Sequence, residues 1–185
     1  MLAQSLRRQF TVHDYARMRE TGILAEDDRV ELLDGEIYVM IPIGPLHIAI
    51  VNRLNKILMP QIGDDAILSI QNAVQLNDYS EPQPDLALLH PRADYYDQAL
   101  AGPDDIILLI EVADSSLGYD RDQKLPRYAA SNIAELWIID VDRQLVEQYF
   151  QPLQGQYTQL TKVLLGNAIQ SKTMPQIHFM IDQLF

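Results

Sequence analysis

The 185-residue chain has no cysteine, which excludes disulfide frameworks, thiolate zinc sites and cysteine nucleophiles. That composition fits a cytoplasmic location. No apolar run approaches the roughly 18 residues needed to cross a bilayer. Residues Met1 to Arg8 meet charge before an apolar leader core could form. The chain is therefore expected to be soluble, unexported and without membrane contact. Basic residues are scarce, with 14 Lys and Arg against 26 Asp and Glu for a formal net charge of -12. This balance opposes non-specific attraction to polyanions, although a local positive groove or a bound divalent ion would still admit one. Internal repeats, low-complexity tracts and linkers are also absent.

What is present is apolar material, 48% of the residues. This suffices for one substantial core in a chain too short to make two domains the default, so residues 1–185 are read as one domain. Thr11 and Asp14 have the spacing of a helix N-cap, and Gly22 is placed to end that short helix. Asp34-Gly35 is a two-residue hairpin turn that pairs Leu33 with Glu36, Leu32 with Ile37, Glu31 with Tyr38 and Val30 with Val39. The apolar face of this hairpin is Val30, Leu32, Ile37 and Val39, with Glu31 and Glu36 on the other.

His47 to Met59 carries Ile48, Val51, Leu54, Ile57 and Leu58 on one helical stripe and is expected to stop at Pro60. Strands are expected over 66–76, 85–89 and 106–112, with an irregular excursion over 91–105. The 106–112 run is continuously apolar and suits a strand buried on both faces. A helix over 119–131 must accommodate Pro126 as a kink or in its first turn. A buried strand at 136–140, a reversal at Val141-Asp142-Arg143 and strands at 145–150, 157–163 and 177–181 complete the reading. The order gives an α/β fold with a mixed sheet flanked by helices, an N-terminal hairpin and additional C-terminal strands.

Glu111 ends five aliphatic residues, where an unpaired carboxylate would cost several kcal/mol. Asp85 poses the same question behind Pro84, which cannot donate a ladder hydrogen bond and so suits a strand's first position. If their strands pair, the two carboxylates converge on one cation of the magnesium or manganese type, which prefers oxygen ligands. Taken singly, each could instead cap a loop or pair with an arginine. Lys124, one of only four lysines, lies on the helix after the Glu111 strand. Its i, i+4 spacing from Asp120 also allows an ordinary surface ion pair.

Pro84-Asp85 and Glu111-Val112-Ala113, set in the order helix, three strands, helix, strand, resemble the PD-(D/E)XK nuclease superfamily, the restriction-endonuclease-like fold. With Val30-Glu31-Leu32-Leu33-Asp34-Gly35-Glu36, Pro45-Leu46-His47, Asp120 to Lys124, Tyr128 and Trp137-Ile138-Ile139-Asp140, the chain resembles the Uma family of bacterial endonucleases over about residues 10 to 150. One departure stands out. The superfamily lysine usually lies two residues after the glutamate, where this chain has Ala113, and Lys124 is the matching position.

The resemblance, whose specificity comes from the combination of these motifs, implies a Mg2+- or Mn2+-dependent endonuclease acting on DNA. It places Asp85, Glu111 and the Val112 carbonyl on the metal and Lys124 on the attacking water and the developing phosphorane charge. Glu31 either completes that site or is a solvated strand glutamate. His47, at a helix start, either contacts phosphate or is structural. Tyr128 either steers Lys124 or packs in the core, while Trp137 and Asp140 belong to core and turn. Double-strand cutting implies a two-fold dimer. A glycosidase has little support, since no aromatic sugar platform is visible. The remaining alternative is an inactive nuclease fold serving as a regulatory or protein-binding module.

Overall fold

The computed structural model describes residues 7–25 and 27–185, so the reading of residues 1–6 lies outside them. The opening helix α1 (Val12–Glu20) has the expected capping box. Thr11 accepts the Asp14 N–H, and Asp14 accepts the Thr11 N–H in return. Strands β1 (Val30–Leu33) and β2 (Glu36–Val39) form the hairpin in the register set by Asp34-Gly35. Both turn residues have positive φ, 49° and 79°, as a type I′ turn requires.

The burial of the hairpin departs from the alternating pattern. Glu31 is 1% exposed while Val39 is 80% exposed. Strand β1 is covered on both sides, because a bridge from Leu32 to Glu81 brings the 78–83 loop alongside it.

Helix α2 (Pro45–Ile62) runs past Pro60 to Gly63. A proline in the last turn forfeits one backbone hydrogen bond. Gln61 Nε2 supplies a donor to the neighbouring Ile57 carbonyl at 2.8 Å. Its buried stripe is His47, Ile50, Val51, Leu54, Leu58 and Ile62, and Ile48 faces outward instead.

Six strands form the main sheet in the order β3 (Ile67–Ile70), β4 (Leu86–Leu89), β5 (Ile106–Ala113), β6 (Glu135–Asp140), β7 (Leu145–Leu153), β8 (Gln156–Leu164). Only β5 and β6 are parallel. Strand β3 is shorter than the 66–76 expectation because Gln71 adopts φ 53° and breaks it. The 91–105 segment is irregular apart from a 3₁₀ turn at Pro103–Asp105. A short pair, β9 (Ala168–Gln170) and β10 (His178–Met180), lies outside the main sheet.

Parallel strands need a crossover, and here it is helical. It comprises α3 (Leu117–Tyr119), a π-helical turn over Asp120–Lys124, and α4 (Leu125–Ala130). Pro126 sits in the first turn of α4, where its missing N–H costs least. The sheet therefore has two covered faces. On one, α2 and the 169–184 segment pack against Leu86, Leu108, Ile110, Val112 and Trp137. On the other, Tyr128 and neighbouring residues pack against Ala87, Leu109, Ala113 and Ile138. Alternation along β5 puts Glu111 on the crossover face, between Leu109 and Ala113.

Candidate active site

Glu111 and Asp85 meet because β4 and β5 are neighbours. Asp85 immediately precedes β4, and its Oδ2 accepts the Val112 N–H at 2.8 Å. Glu111 Oε2 in turn lies 3.4 Å from the Asp85 N–H. These reciprocal contacts tie each carboxylate to the backbone beside the other.

Lys124 reaches the same point from the π-helical turn, where the Leu125 N–H bonds the Asp120 carbonyl five residues back. This wider turn aims both Asp120 and Lys124 inward, and they are 3% and 5% exposed. The surface ion pair allowed by their spacing is thus replaced by a buried cluster. Lys124 Nζ donates to the Gln83 carbonyl at 3.0 Å and to Glu111 Oε1 at 3.2 Å, and lies 3.5 Å from Glu31 Oε2. Burial works against the ammonium, but the Glu111, Glu31, Asp120 and Asp85 charges outweigh it and hold Lys124 above the usual lysine range.

Glu31 is fastened on both oxygens. Tyr119 donates its hydroxyl to Oε1 at 2.7 Å, and the Gln83 N–H bonds Oε2 at 2.9 Å. Tyr128 is fully buried and donates to Glu111 Oε1 at 2.7 Å, so it is a polar partner of the site as well as core. Burial pushes the Glu111 carboxyl well above the ordinary range, and the nearby Asp120 and Asp85 add to the rise that Lys124 opposes. Burial likewise raises Asp120, to about 6, despite Lys124 and the Ser116 hydroxyl at 2.6 Å.

His47 stands in the first turn of α2, 6% exposed, with Nε2 2.9 Å from Asp85 Oδ1. The contact is close but off the ring's donor direction, which leaves Nε2 without an aligned hydrogen bond. Burial lowers the imidazole, but Asp85, the Val112 carbonyl and Asp114 outweigh that and set it above its ordinary value. Trp137 is fully buried, and Asp140 accepts the Arg143 N–H at the turn.

These groups surround a cavity of about 60 Å³ whose lining includes Arg29, Glu31, His47, Asp85, Glu111 and Lys124. Five carboxylates, those of Glu31, Asp85, Glu111, Asp114 and Asp120, line it against Lys124 and Arg29, an excess of negative charge that suits a divalent cation. Among the described residues, no three His, Asp or Glu side chains converge as a ready ligand set. Asp85 and Glu111, as a pair of carboxylates, fit an ion that keeps most of its waters, as magnesium commonly does. Sequence reasoning missed Tyr119 and the inward turn of Asp120. A π-helical turn leaves no periodic signature from which either could be read.

A mixed sheet with a carboxylate pair and a lysine at the end of its parallel strands defines a restriction-endonuclease-like protein. A solved structure from Anabaena variabilis ATCC 29413, described as "a putative nuclease belonging to DUF820", has the same fold. It superposes with a TM-score of 0.68 at 18% identity, covering 95% of this chain and 97% of its own. No curated protein matches the chain. Residues 12–182 match the Uma2 family, described as "Putative restriction endonuclease", and the chain belongs to that family.

Proposed function

We propose that this chain is an endonuclease that hydrolyses phosphodiester bonds in DNA with Mg2+ or Mn2+. Asp85, Glu111 and the Val112 carbonyl would hold the ion, which supplies an acidified water and polarises the phosphoryl oxygen. Lys124 orients the attacking water and offsets the charge that develops on the phosphorane. Glu31 fixes Lys124, and is itself fixed by Tyr119 and the Gln83 N–H. The observation that carries this reading is the burial of Lys124 against Glu111, beside Asp85, at one cavity. A lysine so enclosed costs desolvation that a solvated surface lysine avoids, and by the family resemblance it stands in for the lysine absent at Ala113.

Residues 1–185 then act as one nuclease-like domain. Cutting both strands of a duplex calls for two such sites, hence a two-fold dimer, and the cysteine-free chain suits the cytoplasm. Among the described residues no helix is long and apolar enough to cross a membrane.

The test is cleavage of duplex, branched and single-stranded DNA with Mn2+ or Mg2+, alongside calorimetric titration of the metal. Wild-type protein should cut, and Asp85→Ala and Lys124→Ala should not. Asp85→Ala should also weaken metal binding, with folding of each variant checked by circular dichroism. Absence of cleavage on every substrate together with absence of metal binding overturns the proposal.

A further inference from the structure

Acidic residues are unevenly spread along this chain. Two stretches, residues 37–63 and 148–181, contain neither Asp nor Glu, although the chain has 26 acids among 185 residues. The fold brings part of them together. Ile50, Leu54 and Leu58 of α2 share one core with Ile169, Ile177 and Phe179. The Arg53 guanidinium donates to the Leu184 carbonyl at 2.6 Å, and the His178 N–H bonds Gln61 Oε1 at 2.9 Å. A chain of net charge -12 thus has one face that is poor in acids, with Asp182 and Asp65 at its border.

That face begins at the proposed active site. Helix α2 has His47 in its first turn beside Asp85. Its exposed positions Ile48, Asn52, Lys56 and Met59 follow at spacings of four, four and three, a single stripe along the helix, with Arg53 next to it. Arg53 and Lys56 have no carboxylate within ion-pair distance among the described residues. Together with His178 they border a surface groove of about 450 Å³. Acids resume at the far end of the helix, with Asp64 and Asp65.

We infer that this face carries the nucleic-acid strand that flanks the scissile phosphate, with Arg53 and Lys56 contacting its backbone. The inference rests on the nuclease reading and adds to it the track by which an acidic protein holds a polyanion. Distances along the helix suit it. Arg53 and Lys56 are six and nine residues beyond His47, about 9 and 13.5 Å at the α-helical rise. Along a duplex lying parallel to the helix, at about 3.4 Å of axial rise per phosphate in one strand, they meet phosphates about three and four nucleotides beyond the one at His47. Exposed Ile41, Leu46 and Ile48 stand where the helix meets the cavity and offer apolar surface to bases.

The experiment measures binding without metal, so that it reads independently of cleavage. Anisotropy of labelled single-stranded and duplex oligonucleotides is followed over a salt series for wild type, Arg53→Gln/Lys56→Gln, Lys56→Gln alone and Arg92→Gln. Arg92 lies beyond the end of β4 remote from Asp85 and serves as the charge control. Lys56 makes no hydrogen bond or ion pair within the described fold, so its variant keeps the test valid should the double variant unfold.

The double variant should bind at least tenfold more weakly. Its slope of log affinity against log salt should fall by about 1.4 for a single strand or about 1.8 for a duplex, and Lys56→Gln by half as much. The strand type showing the loss is the one the face accepts. Unchanged slopes, an equal change in Arg92→Gln, or no binding by wild type overturns the inference, as does Lys56-dependent binding to phosphatidylserine vesicles in place of oligonucleotide. Cleavage with binding insensitive to Arg53 and Lys56 leaves the nuclease and removes the track. Binding lost in the variants without cleavage by wild type does the reverse.

Discussion

Replacing Asp120 with asparagine should stabilise the protein at neutral pH and leave it unchanged in acid. Asp120 is 3% exposed, and burial lifts its carboxyl to about 6 from an ordinary value of 3.8, even with Lys124 close by. A raised carboxylate makes the fold bind a proton more tightly than the unfolded chain does. Stability from this group is therefore greatest below about pH 4, falls as pH rises from there to about 6, and stays low above. Two pH units at about 1.36 kcal/mol each give about 3 kcal/mol of penalty at pH 7.5. Asparagine resembles the protonated acid and can keep the contact with the Ser116 hydroxyl. The gain in a chain of this size is about 6 to 12 °C in Tm. Urea unfolding of both proteins at pH 4 and pH 7.5, with chelator present, measures it. An Asp120→Asn protein no more stable than wild type at pH 7.5 refutes the reasoning, and so does an equal gain at both pH values, which would point to packing instead of charge.

Lys124→Met should abolish cleavage and cost about 3–5 kcal/mol of stability, because Glu111 and Glu31 lose their buried counter-charge. Adding Glu111→Gln should recover part of that stability in the same urea assay, without activity. Gly35→Ala should lower stability by at least about 1 kcal/mol in thermal melts, since φ is +79° and the new Cβ would lie 2.5 Å from Gln9 Cβ. Glu135→Gln should cost roughly 3 kcal/mol and speed proteolysis near residue 172. Its buried Oε2 accepts the Lys172 and Thr173 N–H groups, where an amide would present a donor to donors.

Several elements are legible in the linear chain because their causes are local. The Asp34-Gly35 turn alone fixes the hairpin register, and Thr11 with Asp14 fixes the start of α1. The unbroken apolar run before Glu111 declares a buried strand and an anomalous carboxylate within it. The family motifs then assign Asp85, Glu111 and Lys124 to one place, and the fold brings all three to one cavity.

Other features depend on contacts distant in sequence. Alternation in the hairpin suggests that Glu31 and Val39 face solvent and core respectively, yet a loop 50 residues later covers Glu31 and leaves Val39 exposed. Periodicity gives Asp120 and Lys124 a shared helix face without saying whether it points outward. A π-helical turn over the parallel crossover aims it inward. Glu111 was determined by the sequence, as a charge that an apolar strand could not hold unaided. Tertiary structure decided which groups offset it: Lys124, Tyr128 and the neighbouring backbone amides, because only packing sets which distant donors reach a buried oxygen.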